Sequence, residues 1–135
     1  MRVRLAAVAL SVAGAGISVY LTLLHYAGVT PACVTTDAIN CEAVLTSSYA
    51  VIAGTSVPTS LAGIVWCGVG ALLWAGGWRA PLYAWMAAGM AVVVGLVFIE
   101  IGLIGAICLW CTAVHVIVLT LFITAVTLWT AERAR

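Results

Sequence analysis

Two cysteines with two residues between them, Cys108 and Cys111, lie in the stretch CLWC, which opens a long apolar run near the C-terminus. At the start of a helix, this spacing puts both sulfurs on one face. The free N–H groups and the helix macrodipole there lower the pKa of the first thiol. Because a thiolate is the species that attacks a disulfide, the CLWC motif predicts thiol–disulfide chemistry. The competing interpretation is that buried cysteines serve only as small apolar side chains.

A second cysteine pair, Cys33 and Cys41, lies in the most polar stretch of the chain, with seven residues between its members. A loop of this length closes readily, and exchange with a neighbouring pair needs mobility. Two such pairs in one compartment predict an electron relay. The alternatives are a static structural disulfide in the loop and a zinc site with four thiolates. Covalent haem attachment is disfavoured because Thr112, and not a histidine, follows the CLWC motif.

Several polar residues accompany the cysteines. Thr112 and His115 share the face of the CLWC motif, because residues three and four apart are neighbours on a helix. A dithiol with polar groups beneath it suits a small redox partner dissolved in the membrane. Glu100 and His25 are candidates for moving protons, with a position at the membrane interface as the alternative. Cys67, amid apolar residues, is predicted to serve packing.

The composition places the chain in a lipid bilayer, since 66% of its 135 residues are hydrophobic and 7% are charged. Four segments are long enough to cross a hydrocarbon core of about 30 Å. They cover residues 5–26, 57–74, 82–101 and 107–129. We expect residues 1–135 to form a single membrane domain, an all-α integral membrane protein built as a four-transmembrane-helix bundle.

A long outer loop, residues 27–56, joins the first two predicted spans and should contain a short amphipathic helix. Asp37 or Asn40 is suited to cap a helix that runs from residue 41 to about residue 49. Its apolar face would consist of Val44, Leu45, Tyr49 and Ile52. We expect this helix to lie on the membrane surface over the ends of the spans.

The basic residues predict the orientation of the bundle. The chain has no lysine, and every arginine falls at a terminus or between the second and third spans: Arg2, Arg4, Arg79, Arg133 and Arg135. The positive-inside rule places these segments in the cytoplasm. Both cysteine pairs then face the outside, where disulfides persist. The use of arginine without lysine, together with abundant alanine and valine, fits a GC-rich bacterial genome. We expect the protein to lie in a bacterial inner membrane.

With these residues assembled, the chain resembles the vitamin K epoxide reductase family, and its bacterial branch more closely than the animal enzymes. The resemblance covers nearly the whole chain. It rests on the four-helix membrane core, on the spacing of Cys33 and Cys41, on the hydroxyl cluster of residues 46–48, and on the CLWC motif at the start of the last helix.

The resemblance implies a four-helix bundle around a quinone of the menaquinone, ubiquinone or vitamin K type. It makes Cys111 the thiol nearest the quinone and Cys108 the partner of Cys111. Cys108 also exchanges with Cys41, whose own partner is Cys33. These four cysteines are the predicted catalytic residues.

The residues predicted to bind the quinone are Cys111, His115, Thr59 and Ser47. Ser47 falls where the family has a loop serine near the site. Thr59 stands where the family usually has a quinone-binding asparagine, and His115 stands where animal members have tyrosine. Both side chains are able to hydrogen-bond a quinone carbonyl.

The resemblance therefore implies a quinone-linked thiol–disulfide oxidoreductase that reoxidises a periplasmic thioredoxin-fold partner of the DsbA kind, as a functional counterpart of DsbB. One alternative is reduction of a vitamin K quinone or its epoxide. An alternative of another class is a small four-helix transporter or a scaffold with structural cysteines. Transporters of this size need polar groups along a midplane path, whereas the polar groups here gather at the outer end.

Overall fold

The computed structural model describes residues 1–134, apart from the side chain of Glu132, so Arg135 lies outside the described residues. Within this part of the chain, five α-helices and one π-helical segment follow one another. They are α1 (Arg2–Ala27), α2 (Cys41–Leu45), α3 (Thr59–Gly76), α4 (Arg79–Phe98), the π-helix (Ile99–Ile104) and α5 (Leu109–Arg133).

Four helices are long and apolar enough to cross a membrane: α1, α3, α4 with its π-helical continuation, and α5. No strand occurs in residues 1–134, where the extended pairing consists of two isolated bridges. The predicted all-α architecture of a multi-pass membrane protein is confirmed.

The helix ends differ from the predicted ones by a few residues, for local reasons. The third span continues to Ile104 because α4 passes into the π-helix, which Gly105 ends in the left-handed region at φ 73°. The last helix begins at Leu109 and not at residue 107, because Ile107 pairs with the outer loop. Pro58 precedes α3 with an extended backbone, so the second span begins at Thr59.

The predicted loop helix is shorter than expected. Asn40, and not Asp37, caps α2, and its side-chain oxygen accepts a hydrogen bond of 3.0 Å from the Ala43 N–H. The helix stops at Leu45 and does not reach residue 49. The Ser47 hydroxyl donates to the Val44 carbonyl at 2.7 Å, and such side-chain bonds compete with helix continuation. A helix of five residues does not form the extended apolar face that we predicted.

The bundle is densely packed at the end away from the outer loop. A buried cluster there draws on all four spans and comprises Ala7, Leu73, Trp74, Leu82, Met86, Leu121 and Ala125. At the same end, Arg4 lies against Gly77 in the turn between α3 and α4, and Arg133 stacks on Trp129 at 4.5 Å. The N-terminus, this turn and the end of α5 thus share one side of the bundle.

Two tryptophans join α3 to α4 by reciprocal hydrogen bonds. The Trp66 indole N–H donates to the Trp85 carbonyl at 3.2 Å, and the Trp85 indole N–H donates to the Trp66 carbonyl at 3.0 Å. Gly89 on α4 makes room for the Trp66 ring, since a Cβ at Gly89 would overlap it. The pair separates the packed end of the bundle from the end that carries the loop.

Gly89→Ala should lower the free energy of unfolding in detergent by about 1–2 kcal/mol, because the added methyl group collides with a ring held by a hydrogen bond. Gly95→Ala on the same helix is the matched control, since a Cβ there meets no atom within 4 Å. Thermal or denaturant unfolding measures both variants. Equal stability of the two variants would contradict the close packing of Trp66.

Candidate active site

The CLWC motif straddles the start of α5. Cys108 immediately precedes the helix and is 0% exposed, whereas Cys111 lies in the first turn and is half-buried. The backbone N–H of Cys111 donates to the Cys108 sulfur at 3.3 Å. Thr112 donates its hydroxyl to the Cys108 carbonyl at 2.9 Å. The first turn thus supplies a backbone N–H donor to the Cys108 sulfur, as expected at a helix start.

A short backbone bridge fastens the outer loop beside this motif. The Asn40 N–H donates to the Ile107 carbonyl at 3.1 Å, and the Ile107 N–H donates to the Ala38 carbonyl at 2.9 Å. Further along, the Trp110 indole N–H donates to the Ala32 carbonyl at 3.1 Å. The loop is therefore attached on both sides of Cys33, and α2 begins next to the residue that precedes Cys108.

This attachment brings the two cysteine pairs together. Cys41, which is 1% exposed, shares one buried cluster with Val44, Ala106 and Cys108, and Cys33 and Cys111 pack against it. Within residues 1–134, no group of three or more His, Cys, Asp or Glu side chains is arranged to hold a metal ion.

The two pairs are in different redox states. Cys33 and Cys41 form a disulfide with Cα atoms 6.1 Å apart, which is the pairing that the resemblance implies. Cys108, Cys111 and Cys67 are free thiols. The structure therefore combines an oxidised loop pair, Cys33 and Cys41, with a reduced helix pair, Cys108 and Cys111.

The pKa of the Cys108 thiol is lowered, chiefly because the Cys111 side chain hydrogen-bonds to its sulfur. Backbone N–H groups of Cys111 and Trp110 act in the same direction, whereas burial opposes them. The direction is the one that the motif predicts for a first cysteine at a helix start.

A cavity of about 850 Å³ opens beneath the outer loop, between the helices. Its polar lining includes His25, Ser47, Thr59, Glu100, Cys111 and His115. The four residues predicted to bind a quinone thus lie around one space, although they come from the outer loop, from α3 and from α5. Cys108 is fully buried and does not line the cavity. The volume falls within the range of about 300–1,000 Å³ typical of small-molecule sites.

The hydroxyl protons of two lining residues are already used. Thr59 donates to the Ala50 carbonyl at 2.6 Å, and Ser47 donates to the Val44 carbonyl. A quinone carbonyl accepts hydrogen bonds, so neither hydroxyl is free to donate to it in this arrangement. His115 makes no hydrogen bond within residues 1–134, and its ring is half-buried. Of the predicted polar groups, His115 is therefore the one with an unused donor.

Glu100, for which a proton-carrying role and a position at the membrane interface were the two expectations, is buried at the cavity wall. It is 6% exposed, and its Oε2 accepts a hydrogen bond of 3.3 Å from the Cys108 N–H. Sequence reasoning missed the bridge at Ile107 and the part that Trp110 plays in fastening the loop. Pairing between segments so distant in the chain leaves no local pattern by which to find it.

A model of the Vitamin K epoxide reductase family matches residues 5–126, a range that includes both cysteine pairs and the cavity. The protein belongs to this family. A search of the curated proteins finds no match to the chain. Membership in the vitamin K epoxide reductase family makes the protein an oxidoreductase of a class that links quinones to disulfides, and the disulfide-bonded loop pair fits that activity.

Cys111→Ala should move the titration of Cys108 to higher pH, because it removes the side chain whose hydrogen bond contributes most to the lowered pKa. Cys111→Ser is the matched control, since its hydroxyl is still able to donate to the Cys108 sulfur. Thiolate ultraviolet absorbance against pH measures both variants, with Cys67 as a constant background. A Cys108 titration in the alanine variant at or below that of the serine variant would contradict this explanation.

Proposed function

We propose that the protein takes electrons from the dithiol of a thioredoxin-fold partner on the outer side of a bacterial inner membrane and passes them to a membrane quinone. One observation carries the proposal. Cys41 of the loop disulfide and Cys108 of the helix pair share a buried cluster, and Cys111 lines a cavity large enough for a quinone ring. The two pairs and the acceptor site are thus contiguous.

The partner dithiol begins the relay at Cys33. Cys33 is partly exposed, whereas Cys41 is 1% exposed, so an attacking thiolate from another protein reaches the Cys33 sulfur. The attack forms a mixed disulfide on Cys33 and releases Cys41 as a thiolate. The second thiol of the partner then attacks its own sulfur in the mixed disulfide, which frees Cys33 and leaves the partner oxidised.

Transfer to the helix pair follows inside the buried cluster. When Cys108 and Cys111 are joined as a disulfide, the Cys41 thiolate attacks Cys108 and releases Cys111. Cys33 then attacks Cys41, which restores the loop disulfide and frees Cys108. The result is an oxidised loop pair and a reduced helix pair, which is the redox state of the structure.

The residues that line the cavity place the helix pair beside the electron acceptor. A quinone bound there supplies a two-electron acceptor. Cys111 is the sulfur that lines the cavity, and Cys108 is the thiol that closes the disulfide with it. His115 has a free ring N–H or nitrogen with which to hold a carbonyl oxygen, whereas Thr59 and Ser47 shape the wall.

The relay predicts two separable activities. Purified protein in detergent, supplied with a reduced thioredoxin-fold dithiol protein, should consume ubiquinone or menaquinone analogues, as followed by quinone absorbance. Cys111→Ser should abolish this turnover. Cys67→Ala should retain it, because Cys67, although it lies in the cavity wall, packs against Gly14 and belongs to neither pair. Wild-type turnover in Cys111→Ser would remove Cys111 from the reaction.

A single-turnover experiment isolates the helix pair. Chemically reduced protein in which Cys33 and Cys41 are both replaced by serine should reduce one equivalent of quinone, since Cys108 and Cys111 suffice for this step. The same double variant should show no turnover driven by the partner. Partner-driven turnover without the loop pair would contradict the relay. A vitamin K epoxide offered as acceptor in parallel tests the alternative substrate.

A further inference from the structure

Glu100 is the one charged side chain that is buried within the part of the chain that the structure describes. It lies in the π-helix, an irregularity that often marks functional sites. The Arg4 and Arg133 side chains lie at the opposite end of the bundle, and Glu100 forms no ion pair within residues 1–134. Burying a carboxylate without a cation costs free energy. The protonation state of Glu100 should therefore depend on the charges of the groups around it.

Several ionisable groups surround Glu100. From the start of α5, Cys108 donates its N–H to Glu100, and Cys111 lines the same cavity. His115 on α5, His25 at the end of α1, Tyr49 in the outer loop and Cys67 on α3 are the other titratable lining residues. From α2, Cys41 is held in the disulfide and carries no charge, and Glu42 is exposed. The ionisable groups that share this site with Glu100 are therefore the helix pair, two histidines, Tyr49 and Cys67, and of these only the helix pair takes part in the relay.

A thiolate in the helix pair and a carboxylate at Glu100 would place two negative charges in one buried site. Like charges at short range disfavour each other, and burial strengthens the effect. The favourable arrangement has one negative charge, either on a thiolate of the helix pair or on Glu100, and the other of these two groups is protonated. The helix pair loses its negative charge when it becomes a disulfide, so its redox state and the protonation of Glu100 should change together.

We infer that Glu100 carries a proton for the reduction of quinone to quinol, holding it while the helix pair is reduced and giving it up when the pair is oxidised. The inference deepens the proposed function and rests on it for the identity of the acceptor. It assigns a task to a buried acid that the thiol relay itself does not use.

Electrons, protons and charge all balance in this step. Before it, the helix pair holds one thiolate and one thiol, and Glu100 is a carboxylic acid. During it, a disulfide bond forms between Cys108 and Cys111, and the quinone receives two electrons. The quinone oxygens receive two protons, one from the thiol and one from Glu100, which becomes a carboxylate. The site carries one negative charge before and after the step.

When the loop pair reduces the helix pair again, Glu100 regains its proton from a thiol of the helix pair. Reduction of the helix disulfide by the loop pair exchanges two thiols for two thiols and needs no outside proton. One thiol of the helix pair then gives its proton to the Glu100 carboxylate, which restores the thiolate. Glu100 thus acts first as the base that generates the nucleophile and later as the acid that protonates the product.

Infrared difference spectroscopy tests the inference without quinone or partner protein. Full-length protein is reduced by a small dithiol, and its spectrum is compared with that of the oxidised protein. The carboxylic acid C=O band should be stronger in the reduced state and the carboxylate band stronger in the oxidised state. Glu100→Gln should remove both changes, whereas Glu42→Gln, which removes an exposed acid from α2, should retain them.

Absence of the carboxyl bands from the wild-type difference spectrum would overturn the inference, even if Glu100→Gln failed to fold. The same result would leave the relay itself intact. Conversely, failure of the wild-type protein to reduce any quinone would contradict the proposed function. The infrared spectrum would still show whether the protonation of Glu100 changes with the redox state of the helix pair.

Single-turnover kinetics supply the second readout. Glu100→Gln keeps the shape and the acceptor for the Cys108 N–H but carries no proton, so quinone reduction at neutral pH should slow by about 100-fold. Exchange between the loop and helix pairs, followed by thiol alkylation and mass, should be unchanged. The pH profile of Glu42→Gln should match that of the wild type. A wild-type rate and pH profile in Glu100→Gln would contradict the inference.

Discussion

The site depends on two backbone hydrogen bonds that join Asn40 and Ala38 in the outer loop to Ile107 before α5. They satisfy polar groups of an unwound segment that no helix would satisfy, so the bridge stabilises both partners. Because α2 begins directly after Asn40 and the CLWC motif directly after Ile107, one bridge determines the positions of Cys41 and Cys108 together. Without it, the hydrogen bond from Trp110 to Ala32 and the packing of the buried cluster would be left to hold the loop disulfide beside the helix pair.

The bundle is asymmetric, and this asymmetry creates the cavity. At the end away from the loop, the four spans close on one another through a buried cluster, and the crossed indoles of Trp66 and Trp85 lie above it. Toward the loop, a cavity lies between the helices, and residues of the loop form part of its wall. An apolar chamber with thiols and a few polar groups near one end favours a ligand that is itself mostly apolar.

The sequence predicts the spans well because length and apolarity alone decide them, and Asn40 was a foreseeable cap because its side chain acts on the next turn. Features that depend on distant segments escape such reasoning. The bridge at Ile107 is one, and the shortening of α2 by the Ser47 hydroxyl is another. Thr59 was predicted to face a quinone, and it does line the cavity, but its bond to Ala50 appears only in three dimensions.

Two hydroxyl groups in the cavity wall already donate hydrogen bonds to backbone carbonyls. With the protons of Thr59 and Ser47 given to backbone carbonyls, these side chains act as walls that brace the loop against α3. Among the residues predicted to bind a quinone, His115 is then the one whose ring makes no hydrogen bond within residues 1–134. An imidazole is able both to donate and to accept a hydrogen bond, so His115 is the lining side chain best suited to bind a polar atom of a ligand.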